Sequence, residues 1–438
     1  MFQNRHFVFI SIFILAGITS CSLDRRISKK LAREFNRSKI IDTYQTGFAL
    51  AVQGKEKIIY AKNADKYFTP ASNAKLFTFY AGLKIIADSV PSLRYIEKGD
   101  SLIFWGTGDP SFLQSRLKGT RAYDFLQNSH KQLFFSPGRY TGNFYGQGWS
   151  WDDYNDDYQA EINELPLMDN LVTFKTVKGR PVITPRLFEP CFRPDSQAIA
   201  EPFKITRNFN HNEFRYPDTV IPPAYSQSIP YKTSIATTIR LLADTLHRPV
   251  QLISMKMDAA AKTIFNKKRE DVLKEMMQPS DNFIAEQLLL VYANQFQEVL
   301  SSADALNYIQ QEYLAELPDP PHLVDGSGLS RMNLVTPRSV IKLLDMIYKE
   351  VNDRELLFSM LPAGGKTGTL KEAYPKTDTP FVFGKTGSMS NNYNQSGYIV
   401  TKKGRVMLFS FMNNHFLQPT AAVRNEIARI VTYIHETF

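Results

Sequence analysis

Histidine, cysteine and unbroken apolar sequence are all scarce in this chain. Seven histidines in 438 residues follow no recognisable pattern and show no metal-ligand spacing, and no G-x-S-x-G occurs, so a histidine-based serine hydrolase and a metal-dependent enzyme are both disfavoured. The two cysteines, Cys21 and Cys191, leave little scope for disulfides, and a chain of this length can rely on its core instead. No apolar run is long enough to span a bilayer. Net charge is +9, yet Lys and Arg are scattered among acids without a long run, which argues against nucleic acid as a partner. With 43% hydrophobic and 22% charged residues the chain is neither disordered nor fibrous.

The first twenty residues read as a signal peptide. Arg5 precedes the apolar run from Phe7 to Gly17, which has the length of a signal-peptide core. Ile18-Thr19-Ser20-Cys21 then resembles the lipobox at which bacterial lipoproteins are cleaved and lipidated, with Cys21 as the lipidated residue. Lipidation of Cys21 leaves Cys191 without an intramolecular partner. The expected protein is exported and periplasmic, held to a membrane through Cys21, with an anionic wall or membrane surface nearby.

Further along, Ser28 to Asn36 has helical periodicity, with Leu31 and Phe35 four apart among basic residues. Residues 46–52 and 57–61 read as two strands of a hairpin turning at Gly54. Ala71 to Ile86 reads as an apolar helix after Pro70. From Pro91 to Ser228 aromatic, Gly and Pro residues are frequent and long helical patterns are absent, so residues 91–228 read as an inserted β-rich domain. Helices are expected over 234–246, 269–277 and 283–296, strands over 381–383, 397–400 and 406–411 with a turn at Lys402-Lys403-Gly404, and a final helix over 420–438. No internal repeat is detected. The expected fold is α/β of the α+β kind, in which one antiparallel sheet unites both chain ends and carries helices. Residues 21–90 and 229–438 would form the catalytic domain.

Three short motifs occur in order: Ser72-Asn73-Ala74-Lys75, Ser280-Asp281-Asn282 and Lys385-Thr386-Gly387-Ser388. A serine hydroxyl is a weak nucleophile until a neighbouring base takes its proton. Lys75, three residues on along a helix, shares a face with Ser72. It can serve as that base if desolvation and a second cation, for which Lys385 is the candidate, lower its pKa. Ser280 could relay a proton to the leaving amine and Asn282 could hold a substrate peptide group, although Ser, Asp and Asn are also the favoured helix caps. Lys385 and Thr386 could bind a substrate carboxylate. Gly387 would allow close approach of the chain, and the Ser388 N–H could join that of Ser72 as an oxyanion hole. Ser115/Lys118, Ser339/Lys342 and Lys366-Thr367-Gly368 repeat parts of these motifs. They are expected to be surface, packing or loop residues.

With these motifs the chain resembles the class C low-molecular-mass penicillin-binding proteins, the D-alanyl-D-alanine carboxypeptidase/endopeptidase family. The likeness extends to Gly106-Thr107-Gly108-Asp109-Pro110, Gly148-Trp149-Ser150-Trp151-Asp152-Asp153 and Asp325-Gly326-Ser327-Gly328-Leu329-Ser330-Arg331. It implies a DD-peptidase/β-lactamase-like fold with helices on both sheet faces and an extra domain between the first two motifs, here about 200 residues apart and far beyond loop length. It further implies a periplasmic serine peptidase that needs no cofactor. Its substrates are D-Ala-D-Ala ends or D-amino-acid cross-links of peptidoglycan stem peptides, and β-lactams inhibit it by acylation. By resemblance, Ser72 is the nucleophile, Lys75 the base, Ser280 and Asn282 the relay and substrate holder, and Lys385, Thr386, Gly387 and Ser388 the carboxylate and oxyanion side. A serine β-lactamase is a rival, though the Glu161–Leu165 segment, with its two glutamates, precedes the second motif, where class A enzymes place their deacylating glutamate after it. The other rival is a catalytically idle peptidoglycan-binding lipoprotein using Trp149, Trp151 and its tyrosines as contacts. Core packing is the competing explanation of those aromatics.

Overall fold

The structure is a computed structural model that describes residues 25–55 and 57–438. The signal peptide and Cys21 lie outside the described residues. The chain forms two compact units: one holds the described residues through Leu76 with Glu316–His322 and Asn333–Phe438, and the other holds Phe77–Ala315 with Leu323–Met332. No helix among the described residues is long and apolar enough to cross a membrane.

The first unit is built on a five-stranded sheet in the order Val382–Met389, Asn392–Val400, Val406–Asn414, Gln45–Val52, Ile58–Lys62. Every neighbouring pair is antiparallel, so the two N-terminal and three C-terminal strands unite the chain ends as their patterns indicate. Alternate residues of the central strands face opposite layers. Phe48, Leu50, Phe409 and Phe411 pack with Ile27, Leu31 and Phe35 of a helix described over residues 25–37 and with Val423, Ile427, Ile430 and Ile434 of the helix Thr420–Thr437. On the other face lies the helix Pro337–Val351, opened by Thr336, whose hydroxyl caps Ser339 N–H. Tyr398 faces this helix and donates to the Leu344 carbonyl at 2.8 Å.

Two strands run further than the apolar pattern indicates. The strand anticipated at 381–383 continues to Met389, and the one anticipated at 397–400 begins at Asn392. Most of the added residues are polar yet buried, Ser388 and Met389 at the strand end apart, and the polar side chains of the second strand are paired. Asn394 Nδ2 donates to Thr69 O, Gln395 Nε2 to Tyr374 Oη, and the Ser396 and Ser410 hydroxyls bond each other.

The second unit has a five-stranded mixed sheet in the order Val250–Leu252, Gln132–Phe135, Ser101–Gly106, Ser89–Lys98, Lys262–Lys268, and two three-stranded sheets drawn from residues 171–230. Between 91 and 228 the only α-helix among the described residues is Arg121–Asn128. Phe104, Phe135, Phe174, Phe214, Leu241 and Leu242 pack into one core. The helices Ile235–Leu246, Arg269–Met277 and Asn282–Phe296 appear where periodicity places them and belong to the same unit. Residues 283–294 of the last are all buried, as an apolar helix with no polar face requires.

Candidate active site

Ser72 sits on a tight turn rather than in the first turn of an α-helix. The 3-10 segment Ala71–Ala74 precedes the α-helix Lys75–Ile85, and Ala71 adopts φ +47°, a left-handed conformation that costs a residue with a Cβ about 1–2 kcal/mol. Such strain persists only where surrounding structure imposes it. Here Thr69, two residues earlier, is clamped to the sheet: its N–H donates to Asn414 Oδ1 at 2.7 Å, and its carbonyl accepts from Asn394 and Asn414. The turn leaves Ser72 half-buried and Lys75 wholly buried, with Lys75 Nζ donating to Ser72 Oγ at 3.0 Å.

The strand Val382–Met389 is the sheet's edge, and its outer side is covered for only part of its length. Gly364 N–H bonds Val382 O and Gly384 N–H bonds Pro362 O, after which the four motif residues Lys385 to Ser388 continue along the edge. Lys385 is wholly buried and its Nζ donates to the Thr386 carbonyl at 2.7 Å. Burial, with the Lys75 charge beside it, pushes the Lys385 ammonium well below its ordinary pKa. Gly387 explains how the edge can lie against the serine turn. A Cβ there would stand 2.4 Å from Pro70 O and 2.8 Å from Asn73 Nδ2, so any side chain would force the two apart. Ser388 is exposed beyond it. Ser72, Lys75, Lys385, Thr386 and Gly387 are thus gathered in one unit.

The sequence pattern missed three contributors. Asn394 and Asn414 hold Thr69, and no motif marks them. Thr369, directly after the discounted Lys366-Thr367-Gly368, accepts a bond from the Thr386 hydroxyl at 2.7 Å. Lys366 itself is exposed in a turn. Of the other repeats, Ser115 and Lys118 are exposed. Ser339 is buried and donates to Asp319 O, while Lys342 pairs with Glu316 at 3.2 Å.

Ser280 and Asn282 belong to the second unit. Ser280 turns the chain at φ +66° between two helices, and Asp281 is the N-cap of the second, accepting from Ile284 N–H at 2.9 Å. The capping expected of these residue types is thus present at Asp281. Arg116 bridges Glu275 and Asp281. Burial, then the Asp281 charge, pushes the Asp169 carboxyl up to about 7. Asn282 Nδ2 donates to the Tyr158 carbonyl at 3.1 Å.

The segment before Tyr158 connects the other family-like motifs. Trp149 Nε1 donates to Asp325 Oδ2 at 3.0 Å, and Asp325 also accepts from Gly328 and Ser330 N–H. Glu286 accepts from Gly326 and Ser327 N–H and is pushed up to about 8 by burial, then by Asp325. Trp149 therefore packs and bonds, whereas Trp151 is 73% exposed. Glu161 and Glu164, the pair weighed for a class A site, are engaged structurally. Glu161 accepts from Thr233 N–H and hydroxyl, and Glu164 from the Gly138 and Arg139 N–H groups.

The chain is 25% identical over 432 residues to D-alanyl-D-alanine carboxypeptidase DacB of Haemophilus influenzae, covering 86% of this chain and 87% of that one. It superimposes on the crystal structure of penicillin binding protein 4 (dacB) from Haemophilus influenzae with TM-score 0.71 at 20% identity, over 93% of this chain and 99% of that one. A predatory peptidoglycan endopeptidase from Bdellovibrio bacteriovorus gives TM-score 0.52 at 13% identity, over 89% and 92% of the two chains. The D-Ala-D-Ala carboxypeptidase 3 (S13) family matches residues 27–186 and 259–436. With most of its length matched, this chain belongs to the S13 family of serine D-Ala-D-Ala carboxypeptidases.

Proposed function

We propose that this DD-peptidase acts through an acyl-enzyme on Ser72, at D-Ala-D-Ala ends or D-amino-acid cross-links of peptidoglycan, from a membrane to which Cys21 anchors it. The observation that carries the reading is the pairing of wholly buried Lys75 with Ser72 beside Lys385, with Gly387 closing the edge strand onto the serine turn. A substrate peptide adds along the edge at residues 385–388, its terminal carboxylate meeting Lys385 and Thr386. Lys75 Nζ takes the Ser72 proton as Oγ attacks the carbonyl, and the Ser72 and Ser388 N–H groups receive the oxyanion. The C–N bond breaks, the proton passes to the departing amine, and water then hydrolyses the ester to regenerate Ser72. Ser280 and Asn282 take the relay and substrate-holding roles that the second motif implies. Residues 91–228 are proposed as the insertion between the first two motifs.

The test is intact-protein mass spectrometry with benzylpenicillin, followed over hours for the wild type and Ser72→Ala. A lasting adduct that Ser72→Ala lacks is expected. Labelling that persists in the variant moves the nucleophile elsewhere, and rapid drug hydrolysis without an adduct favours a β-lactamase. Cys21→Ser, expressed in the native host, should release the protein from membranes, and unchanged retention would remove the anchor.

A further inference from the structure

In the linear sequence the cations after Cys21 read as scattered; the fold gathers them. The helix described over residues 25–37 and the two residues after it carry Arg25, Arg26, Lys29, Lys30, Arg33, Arg37 and Lys39, with Glu34 the sole acid. All seven cations are exposed. At about 100° per residue, the six on the helix fall within an arc of roughly 140°. Ile27, Leu31 and Phe35 lie on the opposite side, each at most 2% exposed against the sheet and the final helix. Glu34 does not dilute the arc: it is buried, pairing with Arg429 at 2.7 Å and with Arg37 at 3.1 Å. Arg25, Arg26, Lys29, Lys30, Arg33 and Lys39 have no ion-pair partner among the described residues. Lys30 lies 5.9 Å from the Phe438 ring, and Lys403 reaches the neighbouring Thr437 carbonyl at 3.4 Å. The basic surface thus continues round the end of the final helix, where the one acid in an ion pair is Glu436, with Lys402.

We propose that this arc is a docking face for anionic phospholipid headgroups, which holds the first unit flat on the membrane that carries the Cys21 anchor. The proposal rests on the anchor reading for its placement. Three residues lie between Cys21 and Arg25, four steps of chain with a reach of at most ~14 Å, so the helix begins within about two Debye lengths of the bilayer surface. A single-signed strip so close to a negative surface is attracted, and a solvated face of mixed charge would not be. An acyl anchor confines the protein to the surface but leaves its orientation free; an array of cations about 20 Å long sets which side faces the lipid.

The experiment uses the unlipidated chain from residue 22 onward, which keeps every described residue and separates this face from the anchor. Co-sedimentation is measured with vesicles of phosphatidylcholine alone and of phosphatidylcholine with phosphatidylglycerol, at low and raised salt. Binding only to the phosphatidylglycerol vesicles, weakened by salt, is expected. The triple variant Lys29→Gln, Lys30→Gln, Arg33→Gln should lose about five-fold per charge, on the order of 100-fold in all, with penicillin acylation intact. Lys175→Gln, Lys178→Gln, Arg180→Gln, an equal charge loss on an exposed hairpin of the second unit, should bind as the wild type does. Equal loss in that control would reduce the effect to net charge. Equal binding to both vesicle types overturns the proposal, as does binding to isolated peptidoglycan but to neither vesicle. Because the chain tested carries no lipid, these outcomes are independent of the Cys21→Ser result.

Discussion

Lys385 and Arg116 are two cations beside two of the three motifs, and they are provided for in opposite ways. Arg116 sits among carboxylates, bridging Glu275 and Asp281 with its side chain 46% exposed. Lys385 is wholly buried, has no carboxylate partner among the described residues, and faces Lys75. A buried charge without a counter-ion is expensive. A fold retains that expense where a ligand supplies the missing anion, and the D-Ala carboxylate of a DD-peptidase substrate is such a ligand. Arg116 already has its anions, and its charge serves to fix the loop that precedes the Asn282 helix. On the function proposed above, the first cation serves the substrate and the second the architecture.

Replacing Lys385 tests that assignment most severely. Lys385→Ala should lower the second-order rate of penicillin acylation by about two to three orders of magnitude, as removal of a group acting on developing or substrate charge does. Its thermal midpoint should hold or rise, because a buried amine whose charged form the fold disfavours is gone. Lys366→Ala, in the exposed copy of the motif, should stay within about two-fold. Equal losses in the two variants would place the carboxylate site at the wrong copy.

Gly387→Ala comes next. Its Cβ would meet Pro70 O at 2.4 Å, so the edge must retreat from the Ser72 turn by several tenths of an ångström. Misplacement on that scale costs about 10- to 100-fold in reactions governed by near-attack geometry. Acylation should fall by that factor while the sheet, paired on its other side to Asn392–Val400, keeps its circular-dichroism signature. Full activity would mean that strand and turn are not held as closely as the structure has them.

The motif serine and lysines were legible because they are polar residues in apolar surroundings at fixed spacing, and so was the sheet, whose central strands alternate or run apolar. What holds the site was not legible. Asn394, Gln395 and Ser396 look like loop in a hydropathy reading, yet they form the second strand from the edge because each polar side chain finds a partner inside. Thr369 was passed over with the exposed Lys366 copy, since a hydroxyl three residues past a lysine carries no signal until the fold sets it 2.7 Å from Thr386. The turn at Ala71 opens the apolar run after Pro70 that reads as one helix to Ile86. Its positive φ is imposed by the Thr69 clamp and is invisible to local propensity.

Arg116→Ala examines the architectural half of the contrast. Half-exposed ion pairs contribute little each, but this arginine also separates Asp281, Glu275 and Asp169. Stability should fall by about 1–2 kcal/mol near neutral pH, with acylation reduced less than in either variant above. A loss of acylation matching Lys385→Ala, at unchanged stability, would give Arg116 a direct part in the chemistry and dissolve the distinction.

The finest test lies in the carboxyl that Arg116 only partly neutralises. Asp169 is raised from 3.8 to about 7 by burial first and Asp281 second, so the folded protein holds a proton there that the unfolded chain releases. Between about pH 4 and pH 7 the unfolded state binds fewer protons, and this residue's contribution to stability declines as pH rises. Above about 7 the folded carboxyl is ionised as well, and the decline stops. Asn keeps the shape without the titration and tolerates the φ of +61° found at Asp169. Asp169→Asn should therefore match the wild type near pH 4 and exceed it above pH 7 by on the order of 4 kcal/mol. Chemical denaturation across that range measures the difference. A variant that is uniformly more or less stable at every pH would show that the Asp169 charge is satisfied in the fold, and the region around the second motif would then carry no electrostatic strain to set against that of Lys385.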